Sequence, residues 1–134
     1  MRTLLLTAAM FAVAGTAVAD TRATEDKNLA RYQQYAGTSV DNFPMWNMYQ
    51  WQSLGPDWLA VWTAVNDVYL LKVSQPCIRL EDAKGIQVTS QMAHQVTRRL
   101  DYVNFGTQHC QIVEIRPVDY KTMLKEGRDG KAKG

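Results

Sequence analysis

The residues predict a mostly β fold: a β-rich α+β domain of about six short antiparallel strands in a small sandwich or barrel, with one N-terminal helix and one disulfide. Three observations predict it. Between Val40 and Pro117, β-branched and aromatic residues come in short alternating runs broken by turn residues, which is the pattern of strands. A single helical pattern precedes them, in T-E-D-K-N-L-A-R-Y-Q-Q-Y-A-G from Thr24 to Gly37. Two cysteines, Cys77 and Cys110, stand in a chain that opens as exported proteins do.

That opening is M-R-T-L-L-L-T-A-A-M-F-A-V-A-G-T-A-V-A-D. One cation, Arg2, precedes an uncharged run from Thr3 to Ala19 that ends in A-V-A, which predicts a signal peptide over residues 1–19 cut between Ala19 and Asp20. The alternative is a membrane anchor. The run is diluted by Thr3, Thr7, Gly15 and Thr16, and it is short against the roughly 20 apolar residues that span a bilayer. No cysteine follows it to carry a lipid. The expected product is periplasmic or secreted and soluble after cleavage, with no stable membrane insertion. Removing 19 of 134 residues leaves 115, enough for one domain, and the loss of Arg2 takes the formal charge from +2 to +1. So near neutrality, composition supplies no electrostatic footprint for a nucleic-acid partner.

The elements follow in order. Residues 20–39 form an N-terminal helical segment in which Thr24 can cap, Glu25 and Asp26 complement the positive helix end, and Gly37 closes it. Leu29, Tyr32 and Ala36 share one face. Residues 40–121 form the β-rich domain. M-W-N-M-Y-Q-W-Q-S-L, ending at the Gly55-Pro56-Asp57 turn, supplies a first strand. W-L-A-V-W-T (58–63) and V-Y-L-L-K-V (68–73), joined by A-V-N-D, form a hairpin. Both faces of that hairpin are largely apolar, which predicts a central place in the sheet and cover on both sides. I-Q-V-T-S (86–90), V-T-R-R-L-D-Y-V (96–103) and C-Q-I-V-E-I-R (110–116) complete the set. Residues 122–134 read as a basic flexible tail, since residues 121–134 carry five cations against two anions with interspersed glycines.

Export places the two thiols in an oxidising compartment, where a lone pair of cysteines in a small domain forms a disulfide. A redox site would need a close pair such as Cys-x-x-Cys. A metal site would have to recruit His94 and His109, but His109 is adjacent to Cys110, a poor spacing for convergent ligands. The expectation is a Cys77–Cys110 bridge, with no metal and no cofactor.

Several of these stretches also resemble a known family. C-I-R-L with Cys77 and Leu80, then I-Q-V-T-S, then Asp101 in D-Y-V, then Cys110, Ile112 and the run Ile115-Arg116-Pro117-Val118-Asp119 are together similar to a family of small exported Gram-negative bacterial proteins known only as a domain of unknown function. The resemblance covers Phe43 to Lys121. It implies export and paired cysteines, and it lends no activity. Many relatives are lipoproteins; this chain departs from them in lacking a lipidation cysteine.

For catalysis, the candidate acids are Asp101, Glu114 and Asp119 and the candidate bases His94 and His109, yet no G-x-S-x-G, H-E-x-x-H or phosphate-cradling glycine loop arranges them. Arg116 and Asp119 read as a strand-ending ion pair or turn, and Asp101 as an acceptor for backbone N–H groups of the loop that follows it. The compositional oddity is aromatic: Trp46, Trp51, Trp58 and Trp62 fall close together, with Phe43 and Tyr49 among them. Trp58 and Trp62 share a face of the most apolar strand and are expected in the core. Trp46 and Trp51 differ by an odd number and point to opposite faces, so one of them is expected to be exposed. Trp46, Trp51 and Tyr49 are therefore the candidate binding surface, for a periplasmic protein or an envelope component. An envelope enzyme or a glycan-binding module using the same aromatics is the alternative.

Overall fold

The computed structural model describes residues 16–133, so most of the expected signal peptide, residues 1–15, lies outside the described residues. The first helix, α1, runs Thr16–Gln34. It starts upstream of the expected Thr24 because T-A-V-A-D-T-R-A holds neither Gly nor Pro and is rich in alanine, and Thr24 is interior. The Ala19–Asp20 bond lies inside it. At the other end α1 stops short of Gly37, because the chain there turns into strand-like pairing. Gly37 donates to Pro117 O at 2.8 Å, and Ala36 bridges Val118.

Eight strands follow: β1 (Asn42–Pro44), β2 (Gln50–Ser53), β3 (Trp58–Trp62), β4 (Val68–Val73), β5 (Gln87–Val88), β6 (Gln95–Thr97), β7 (Tyr102–Phe105) and β8 (Gln108–Val118). Six form one antiparallel sheet in the order β2-β3-β4-β8-β7-β5, bent into a half-barrel, and β1 pairs with β6 as a separate ribbon. The β3–β4 hairpin is registered from Trp58 opposite Lys72 to Trp62 opposite Val68, and Thr63 N–H donates to Asp67 O at 3.0 Å to close its loop.

The expected cover on both faces is present. Leu59, Val61, Leu71, Val73, Ile112 and Ile115 point into one core, which β1 and β6 close with Phe43 and Val96. Ala60, Trp62, Val68, Leu70 and Val118 point into the other, where Tyr32 of α1 and Met123 of the last helix lie against them. Trp62 is 2 % exposed and meets Tyr32 and Tyr120 edge-to-face, with ring centroids 6.1 and 5.6 Å away. Trp58 shares that face but is only half-buried, its ring 5.6 Å below Lys72 Nζ.

Three features differ from expectation. The stretch 96–103 is not one strand but β6 and β7, separated by a turn in which Leu100 N–H and Asp101 N–H both return to Thr97 O and Arg99 takes φ 68°. β8 is longer than 110–116 and carries a β-bulge: Lys72 faces Glu114 while Val73 faces Ile112, so Val113 is the extra residue. That shift is why Cys110 and Ile112 share their core with Ile115, three residues on, and not with Glu114. Finally, the expected basic tail is a second helix, α2 (Tyr120–Lys133). Asp119 caps it, accepting from Thr122 N–H at 3.3 Å, and Met123 anchors it at 2 % exposure. Counting charges missed these two residues, and Tyr120 adds an edge-to-face contact with Trp62. On α1, Arg31 Nη2 donates to Met123 O at 3.1 Å and the Tyr35 hydroxyl bonds Glu126.

The expected disulfide joins Cys77, just past β4, to Cys110 in β8, with Cα atoms 5.6 Å apart. Among the described residues no helix is long and apolar enough to cross a membrane.

Candidate functional site

Trp46 lies in the connection between β1 and β2, outside any strand, and it is the most exposed large apolar side chain described, at 73 %. Two contacts orient it. Met45 N–H donates to His94 O at 2.9 Å, and the Trp46 ring stacks on the His94 ring, centroids 3.6 Å apart and planes 17° from parallel. Tyr49, 61 % exposed, is held at the edge of β2 by its N–H to Trp62 O at 2.7 Å. Met92, 55 % exposed, sits on the same turn as His94. Trp51 goes the other way and packs half-buried against the first core. The aromatic run is thus divided, with Trp62 and Trp51 serving the two cores and Trp46 and Tyr49 left outside.

The turn that supports Trp46 is built from residue 90 onward. Ser90 Oγ lies 2.6 Å from Met92 O and 2.7 Å from Gln95 O and accepts from Gln95 N–H at 3.1 Å, and His94 is left-handed at φ 59°. Asp101 pins this loop from beneath. Fully buried, its carboxyl accepts Thr89 Oγ1 and Gln91 N–H at 2.8 Å on one oxygen and Thr97 N–H at 2.7 Å on the other. The expected role as a backbone acceptor holds, but the donors precede Asp101 because the chain doubles back through β6. Asp101→Asn replaces an acceptor by an NH2 that meets a donor, and it should lower stability by about 2 kcal/mol in urea unfolding. An unchanged midpoint would mean the loop is held elsewhere.

The other titratable candidates are dispersed. Glu114 accepts from Ser39 Oγ at 3.0 Å, Asp119 caps α2, and His109 Nδ1 lies 2.8 Å from Asn104 Oδ1 across the β7–β8 hairpin. Arg116 does not pair with Asp119. Its Nε and Nη2 donate to Gly37 O and Ala36 O at 2.9 and 3.2 Å, tying β8 to the end of α1. Burial, with Tyr120 adding to it, pushes the Tyr32 phenol up to about 12, so it remains a neutral donor to Gln52 Oε1 at 3.2 Å. Both sulfurs are consumed in the disulfide, and among the described residues no three His, Cys, Asp or Glu side chains are grouped to hold a metal ion. The stacked Trp46–His94 pair was not legible in the sequence: His94 carried no signal beyond its titratable ring, and its partner is 48 residues away.

These features define a small disulfide-bonded half-barrel with two helices on one face and an aromatic platform on a loop. The chain belongs to the family of unknown function DUF6491, whose model matches residues 1–134. No curated protein and no solved structure matches it.

Proposed function

We propose that this protein is an exported, periplasmic binding module that acts without catalysis, contacting a protein or envelope component through the Trp46 and Tyr49 surface. The observation that carries this reading is the 73 % exposure of Trp46, whose ring is stacked on His94. A large rigid ring held outward is what a contact surface needs, since it offers area at low entropic cost. The charged start and the A-V-A site support export, and the paired cysteines suit the oxidising compartment that export would reach.

The test pairs affinity capture from envelope extract with melting curves on Trp46→Ala and Tyr49→Ala. Trp46→Ala should abolish capture while costing about 1 kcal/mol or less, since little beyond the His94 stack is removed. Undiminished capture, or a large loss of stability, would overturn the reading. The intact mass of the captured chain should begin at Asp20. The alternative, an envelope enzyme or glycan-binding module, draws on the same exposed ring, on which a sugar can stack. Envelope glycan added to the protein would then perturb tryptophan fluorescence in wild type and not in Trp46→Ala.

A further inference from the structure

We infer that the groove between residues 78–85 and the β7–β8 turn is a binding site for a small amphipathic anion, a carboxylate on a short apolar chain. The groove is open to solvent and has a volume of about 660 Å³, within the range of roughly 300 to 1,000 Å³ typical of small-molecule sites. Its apolar lining comes from Phe105, 9 % exposed, and Ile78, which is 58 % exposed. Arg79 and Lys84 line it as well, against a single anion, Asp82. Among the described residues neither cation has an ion-pair or hydrogen-bond partner, so the groove combines an apolar wall with one net unneutralised positive charge. An anionic head on an apolar tail complements both.

The walls are fixed before any ligand arrives. The Cys77–Cys110 bridge immediately precedes Ile78 on one side and follows Gln108 by two residues on the other, and Ile78 N–H donates to Gln108 Oε1 at 3.4 Å. Leu80 is fully buried beneath the single turn Leu80–Asp82, in which Asp82 N–H returns to Arg79 O at 3.1 Å. Arg79 itself is left-handed, at φ 65° and ψ 32°. A glycine would adopt that backbone without strain. The position instead holds a residue that is conformationally unfavourable there and that lines the groove. Strain of this kind gathers where a side chain serves a ligand and the surrounding structure holds it in place.

The experiment titrates the oxidised protein with octanoate, following backbone amide shifts by NMR, with octanol and acetate as probes that carry only one half of the chemistry. Octanoate should saturate one site, moving amides of residues 78–85 and 105–108, and the two half-probes should bind at least tenfold more weakly. Arg79→Gly separates ligand from fold, because it relieves the left-handed strain while removing the cation. It should lose tenfold or more in octanoate affinity with a melting temperature equal to or above wild type. Lys84→Gln should lose several-fold, and Trp46→Ala should bind octanoate as wild type does. The inference fails if octanoate does not saturate the groove, if octanol binds equally well, or if Arg79→Gly retains affinity. Shifts centred on Trp46 and Tyr49 would also overturn it, and would move the ligand to the platform instead.

Discussion

Replacing Trp62 with alanine is expected to lower the stability of the fold by about 3 to 5 kcal/mol. The ring is almost fully buried and is the common contact of three elements: the sheet through β3, α1 through Tyr32, and α2 through Tyr120. Truncation removes the transfer free energy of a large side chain, leaves a cavity that two helices and a sheet cannot jointly close, and breaks two edge-to-face pairs. Neighbouring Trp58 provides the comparison. It shares the face and the strand and packs against the same core, but it is only half-buried, with Lys72 Nζ 5.6 Å from its ring centroid. Trp58→Ala should therefore cost clearly less in the same urea titration. If Trp62→Ala unfolds the chain outright, Trp62→Phe gives a graded reading of the same contact. Equal losses at positions 58 and 62 would show that the second core is not organised around Trp62.

Removing the disulfide should cost about 3 to 4 kcal/mol, because on the chain-entropy model a bridge across 33 residues withholds that much freedom from the unfolded chain. Two preparations separate the cross-link from the atoms. Cys77→Ala with Cys110→Ala loses the bridge and leaves space in the first core, where both side chains are buried; reduced wild type loses only the bridge. Both should melt well below the oxidised protein, the double variant slightly lower. A reduced protein melting with the oxidised one would mean that β4 and β8 pairing alone holds this region. The bridge also bounds the groove at Ile78 and Gln108, so its loss should weaken octanoate binding even where the fold survives.

The β3–β4 hairpin was legible because its information is local. Two runs apolar on both faces, joined by the short link A-V-N-D, dictate two adjacent strands, and the observed register pairs Trp58 with Lys72 through to Trp62 with Val68. That one of Trp46 and Trp51 would be exposed was expected, without saying which, and for a different reason from the one that holds. Strand alternation separated the two, whereas Trp46 lies outside any strand and is turned outward by the loop carrying His94. The groove escaped notice because its parts, Ile78 to Gly85 and Phe105 to Gln108, are two turns that look like ordinary polar loops until the disulfide sets them side by side.

By itself the sequence determined the β-rich class, the central hairpin with cover on both faces, and the Cys77–Cys110 pairing. Periodicity, side-chain volume and the scarcity of thiols act over a few residues or leave one partner available. The tertiary structure alone decided the bulge at Val113, the docking of α2 through Met123, the β1–β6 ribbon, and the stack of Trp46 on His94. Each depends on residues far apart in the chain. A bulge is set by which residues a curved sheet must turn into its core, and a basic helix forms here because a surface waits to bury Met123 and receive Tyr120.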